Sequence, residues 1–98
     1  MRRQLVLSRL VESDLDDIAS YIAQDSPRQA VNFVRQIRRQ FATIVRNPEI
    51  YRLRPEIGEG ARMATLGHCA ILFRLDAALV RIERVVFAGR DLPGLFDC

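Results

Sequence analysis

Gly89-Arg90-Asp91, followed at once by Leu92-Pro93-Gly94-Leu95-Phe96, places a cation, a carboxylate and three large apolar side chains directly behind a β-type run over 79–88. Arginine stays protonated throughout the physiological range, and its planar fork matches phosphate or carboxylate. This constellation therefore suits recognition of an anionic partner better than proton transfer. Gly89 lets the chain leave the strand, and Pro93-Gly94 turns Leu95 and Phe96 toward whatever lies beside it. Arg90, Asp91, Leu92, Leu95 and Phe96 are the candidate target contacts. The competing reading is structural: Arg90 and Asp91 form local salt bridges, and the apolar residues fold back as a lid on the sheet.

The remaining reactive side chains offer less. His68, the single histidine, stands beside Cys69 with no acid or cysteine at a useful spacing, so it reads as a turn residue and not as a base or ligand. Cys69 and Cys98 have neither the spacing of a metal clamp nor the density of a secreted disulfide scaffold, which fits a reduced cytoplasmic interior. No cofactor or metal is implied. Tyr21 and Tyr51 are contact candidates, although Tyr21 also lies at the edge of an apolar helix face and can seal a core.

Ninety-eight residues suffice for one core without metals or disulfides, and residues 1–98 read as a single domain. Fifteen basic and twelve acidic residues leave a net charge of +3, and every basic residue is arginine. Composition explains the replacement better than function, because every basic position is affected, but the absence of lysine removes all lysine-based chemistry. Arg2-Arg3 is followed by only Leu5-Val6-Leu7 before Ser8-Arg9, too little for a signal peptide, and no stretch is long and apolar enough to span a membrane.

The elements that must position these residues are legible from pattern. Residues 3–8 read as a short strand. Ser13 reads as the cap of a first helix, with Asp14, Asp16 and Asp17 in its first turn and Leu15, Ile18, Ala19, Ile22 and Ala23 on one face, ending near Asp25. Ser26-Pro27-Arg28-Gln29 starts a second helix with a cap, a proline at the first helical position and a capping-box glutamine. That helix runs to about Arg46, where Asn47-Pro48 stops it. Its Ala30, Phe33, Val34, Ile37, Phe41, Ile44 and Val45 fall within an arc of roughly 120° at about 100° per residue. Arg28, Arg35, Arg39 and Arg46 form a stripe opposite, broadened by Arg38. The stripe reads first as a solvated helix face, because no aromatics interleave it and Asn32, Gln36 and Thr43 sit between the charges. A phosphate-facing surface and a contact for acidic residues of a partner are its other readings.

Residues 48–60, with two prolines and two glycines, have no sustained period and read as the most mobile loop. Strands follow near 61–66, 69–75 and 79–88, joined at Gly67-His68 and Asp76-Ala77-Ala78. The predicted fold is α+β, in the order β-α-α-β-β-β, with a helical hairpin packed on a small, mostly antiparallel sheet. Both parities of the middle strand are apolar, and a two-helix hairpin covers one face of a sheet. The expectation is that a partner segment covers the rest and that the isolated chain self-associates. Arg84 shares parity with Ile82 and Val86, so it either meets a buried acid or lies beside a bulge. Arg62 and Arg74 either line a partner groove or pair with Glu83 or Asp76 across the sheet.

The chain resembles the ParE branch of the RelE/ParE toxin superfamily, the toxins of bacterial type II toxin–antitoxin modules, over nearly its whole length. The matching elements are Asp14-Leu-Asp-Asp-Ile-Ala-Ser-Tyr-Ile-Ala23, Ser26-Pro27 with Ala30 and Phe33, Asn47-Pro48, Gly60-Ala-Arg62, Ala70-Ile-Leu-Phe-Arg74, Ile82-Glu-Arg-Val-Val86 and Gly89-Arg-Asp-Leu92. Each is weak alone, while their order and spacing together are fairly specific. The resemblance implies a RelE/ParE-like fold, a role in plasmid stabilisation and a cognate antitoxin, ParD-like or other, that wraps the toxin. The antitoxin contacts expected here are Arg62, Arg74, Ile71, Phe73, Arg35 and Arg39. It also implies one of two activities: ribosome-dependent cleavage of messenger RNA, or poisoning of DNA gyrase with indirect contact to its DNA.

Chemistry separates the two. Metal-free RNA cleavage needs a group to activate the 2′-hydroxyl, a cation for the developing charge and an acid for the leaving oxygen. The RNase branch supplies them with lysines, strand arginines and a late tyrosine or histidine; here lysine is absent, Ala70 stands at the strand arginine position and Phe96 at the late tyrosine. The reading that follows is a cytoplasmic, non-enzymatic gyrase inhibitor that stabilises a cleaved DNA complex. The alternatives are a RelE-type endoribonuclease and a detoxified module that persists as an antitoxin partner.

Overall fold

The computed structural model describes residues 3–87. Over them the order is β1 (Gln4–Leu7), α1 (Val11–Ala23), α2 (Pro27–Arg46), a short 3-10 turn (Pro48–Ile50), β2 (Arg62–Leu66), β3 (Cys69–Leu75) and β4 (Leu79–Phe87). The sheet order is β1-β4-β3-β2, with β1 parallel to β4 and the other pairings antiparallel. This is the expected α+β arrangement.

Both hairpin turns follow from their residues. Gly67 adopts φ 58°, a conformation that costs other residues a clash of Cβ with the backbone, and so closes β2 onto β3. Asp76 closes β3 onto β4 because its Oδ1 accepts from the N–H groups of Ala78 (2.7 Å) and Leu79 (3.0 Å). The longer helix starts with the predicted cap and proline: Ser26 Oγ accepts from Gln29 N at 3.2 Å, with Pro27 behind it, but the expected capping box does not close, because Ser26 N donates to the Ile22 carbonyl at 3.0 Å.

The start of α1 differs from expectation. Ser13 is not the cap; the helix begins at Val11, three residues before the start a Ser13 cap would set, and Ser13 lies within it. Ser8 organises the entry instead, its buried hydroxyl donating to the Glu83 carbonyl (2.7 Å) and accepting from Leu10 N (3.3 Å). The first-turn acids are accordingly Glu12 and Asp14. Tyr21, a candidate to seal the core, is 63% exposed.

One core lies between the hairpin and the sheet. Leu15 and Ile18 of α1 and Ile37, Phe41 and Ile44 of α2 pack against Ile71, Phe73, Val80, Ile82 and Val85. A second cluster lies on the far side of the sheet, where Ile57 and Ala61 of the 51–61 loop meet Ala70, Leu72 and Val86. The loop expected to be mobile is thus a cover, held at Arg54 and Ala61 by a 2.7 Å backbone bond and at Leu53 by a bridge to Arg62. Its anchor, Ile57, follows no period because it is an isolated contact, which is why pattern did not show it. Consequently every residue from Cys69 to Phe73 is at most 1% exposed. The expected open face of the middle strand is closed by the chain itself, and with it goes the reason to expect self-association there.

Candidate functional site

The residues assigned to target contact, Arg90, Asp91, Leu92, Leu95 and Phe96, lie outside the described residues. The structure describes the end of β4 that leads to them. A one-residue bulge reshapes that strand: Leu72 pairs with Arg84 while Phe73 pairs with Ile82, leaving Glu83 as the extra residue. The bulge reverses the alternation, so Val80, Ile82 and Val85 all face the helices whereas Val86 faces the loop.

Arg84, next to this bulge, meets a buried acid. Its Nε and Nη2 each donate to Asp14 at 2.8 Å, and the same carboxylate accepts from Val85 N at 3.0 Å. The Asp14 side chain is only 8% exposed, so α1 is clamped to β4 by three charge-assisted bonds in a low-dielectric setting. Both alternatives for Arg84, the buried acid and the bulge, hold together. One turn along α1 from Asp17, Tyr21 packs edge-on against Phe87 with centroids 5.4 Å apart. A rigid, partly aromatic platform thus carries the chain out of β4.

The residues assigned to antitoxin contact do not form one patch. Ile71 and Phe73 are 0% exposed within the main core, where Phe73 meets Tyr51 edge-on, so neither presents surface. Arg62 donates to the carbonyls of Glu49 and Tyr51, fastening the 3-10 turn to β2, and does not pair with Glu83; Glu83 instead pairs with Arg81 at 3.1 Å. Arg74 is half-buried on β3 opposite Arg81. Arg35 and Arg39 lie exposed on the outer face of α2.

A groove of about 500 Å3 runs along the seam of α1 and α2. Ala19 and Ala23 on α1 and Ala30, Val31 and Val34 on α2 form its apolar floor and sides, with Asp16, Arg35 and Arg38 also lining it. Small residues four apart on α1 keep the space between the helices open. Val31, 53% exposed, is the clearest apolar residue waiting for a partner. The alanines were visible in the sequence as core candidates; their size was the signal for a groove.

The groups suited to acid–base work are dispersed. Tyr51 O–H accepts from Gln40 Nε2 at 3.2 Å and its ring is fixed on Phe73, while His68 stands exposed in the β2–β3 turn. Burial raises the Cys69 thiol, which keeps it protonated and inert. Among the described residues no group of three His, Cys, Asp or Glu side chains could hold a metal ion, and no helix is long and apolar enough to cross a membrane.

An open interhelical groove beside a clamped four-strand sheet defines a small α+β domain of two helices on a mixed sheet. The family model described as ParE toxin of type II toxin–antitoxin system, parDE, matches residues 5–92, and the chain belongs to this family. In structure it is similar to a chain of the chromosomal ParDE toxin–antitoxin system from P. aeruginosa, with 25% identity and a TM-score of 0.76, covering 88% of this chain and 96% of that one. It shares its fold with a chain of the RelBE2 toxin–antitoxin complex from Mycobacterium tuberculosis, at 22% identity and a TM-score of 0.61, covering 89% and 99% of the two chains. A comparison with curated proteins gives no match.

Proposed function

We propose that this toxin acts by binding DNA gyrase and stabilising its cleaved DNA complex in the cytoplasm, without bond-making chemistry of its own. A cognate antitoxin neutralises it by seating an apolar helical segment in the α1–α2 groove. The observation that carries the reading is the commitment of polar side chains on and beside the sheet to structure: Arg84 is bound to Asp14, Arg62 to two backbone carbonyls, and Tyr51, just after the 3-10 turn, to Gln40. Ala70 is fully buried where the RNase branch would place an arginine. What is left for function is recognition, and a small protein stalls a large machine by differential affinity for one of its states.

The test is purified toxin in gyrase supercoiling and DNA-cleavage assays beside a ribosome–mRNA cleavage assay. Loss of supercoiling with accumulation of cleaved DNA is expected; codon-dependent mRNA cleavage with gyrase unaffected would overturn the reading. Arg90→Ala and truncation after Asp91 should each lower toxicity more than antitoxin affinity. Parallel loss of toxicity, antitoxin affinity and melting temperature would instead make the tail part of the fold.

A further inference from the structure

Charge is segregated along this chain. The second helix, α2, carries five arginines, at 28, 35, 38, 39 and 46, and no acid. The whole chain has 15 basic and 12 acidic residues, so the remainder holds 10 basic against 12 acidic: a net of −2 beside +5 on one helix. Arg38 is held by Glu12 of α1 at 2.7 Å. Arg28, Arg35, Arg39 and Arg46 are exposed, and none has an ion pair among the described residues. Helix geometry places these four within an arc of about 40° along a straight row roughly 27 Å long.

We propose that this row is a phosphate-tracking surface for double-stranded DNA, distinct from the chain end assigned to the target. Asn32, Gln36 and Thr43 flank the row, exposed, and supply neutral hydrogen-bonding groups of the kind that meet phosphate oxygens. The row contains no aromatic on which single-stranded bases could stack. The inference does not depend on gyrase being the target, since it concerns duplex phosphates themselves.

The test is fluorescence anisotropy of the full 98-residue chain with a 20-base-pair DNA duplex of arbitrary sequence, titrated at several salt concentrations without gyrase. Four phosphate contacts give a slope of log K against log salt of about −3.6, a loss of about 150-fold between about 50 and 200 mM. Arg39→Gln/Arg46→Gln should halve the slope and cut that loss to about 12-fold. The control pair Arg9→Gln/Arg52→Gln, with the same charge change at exposed sites on other elements, should keep the wild-type slope. Thermal melting of both pairs should match the wild type, since the substituted side chains are exposed. Equal effects of the two pairs would reduce the row to net charge and overturn the proposal. Tighter binding to a polyglutamate peptide than to DNA would reassign the row to an acidic protein segment, and tighter binding to duplex RNA would reject DNA as the ligand.

Discussion

Asp14 and Arg84 show how much of this molecule rests on single side chains. Removing one partner of a buried, bidentate pair leaves the other charge uncompensated, at a cost of about 3–5 kcal/mol. Asp14→Ala should therefore lower unfolding free energy by about that amount in urea denaturation, with Val85 N also losing its acceptor. The double variant Asp14→Leu/Arg84→Met should recover most of the loss, because an apolar pair of similar volume avoids the desolvation cost. If both singles and the double are equally destabilised, the site's contribution is shape and not charge. In the sequence Asp14 was indistinguishable from Asp16 and Asp17 as a helix-start acid. The parity of Arg84 with Ile82 and Val86 left a buried acid and a bulge as alternatives, but which acid the bulge would bring it to was not legible.

The turns and helix limits were legible because each has a short-range cause. Gly67, Asp76, Ser26-Pro27 and Asn47-Pro48 set element ends to within about one residue, by φ preference, side-chain capping or the missing proline N–H. The start of α1 was misread because Ser13-Asp14 imitates a cap, whereas the working group, Ser8, sits at the end of a strand and takes its partner from β4. The groove is a matter of what small residues leave empty, and the antitoxin set failed to cluster because Ile71 and Phe73 lie in the core beneath the helices and Arg62 is bound to the 3-10 turn; nor can strand alternation say that a loop covers the opposite face. Ile57 is the case in point. Ile57→Ala should destabilise by about 2–5 kcal/mol and, by uncovering Ala70, Leu72 and Val86, increase self-association in sedimentation velocity. Destabilisation without association would show that other parts of the chain keep that face covered. The β3–β4 turn has a pH signature: the N–H groups of Ala78 and Leu79 hold the Asp76 carboxyl below its ordinary value of 3.8. A depressed folded pKa means that this contribution is complete above the unfolded value and disappears as pH falls through the folded one. An NMR titration should show Asp76 protonating below pH 3.8 in the wild type, and removing the side chain with Asp76→Ala should weaken the acid dependence of stability; an ordinary Asp76 titration would contradict the turn as described.

At the scale of the whole molecule, the groove and the arginine row meet at Arg35, which belongs to both, while Val31 lines only the groove and Arg39 and Arg46 belong only to the row, so the two can still be separated by mutation. Val31→Asp places a charge in the groove without touching β4 and should weaken antitoxin affinity at least 10-fold in calorimetry while leaving toxicity in place. Reduced toxicity with intact antitoxin binding would exchange the roles assigned to groove and chain end. Four carboxyls on separate elements, Glu12, Glu49, Glu56 and Asp76, are all depressed, the three glutamates mainly by hydrogen bonds from Arg38, Arg3 and Arg54 and Asp76 by backbone N–H groups. Each is exposed, so each adds only a small local contribution, lost as pH falls through its depressed folded value.

The parallel pairing of Gln4 with Leu79 joins strands 75 positions apart, across nearly every other element. During synthesis β1 leaves the ribosome long before its neighbour β4 is made. At translation speeds of about 5–20 residues per second the interval is roughly 4–15 s. Throughout it the sheet lacks the interior strand that joins β1 to β3, Ser8 lacks the Glu83 carbonyl and Asp14 lacks Arg84, so the nascent chain has no clamped platform. Harm to the cell is thereby tied to completion: chains arrested before β4 should be sensitive to protease and inactive, and an antitoxin already present has seconds in which to meet its target half-made.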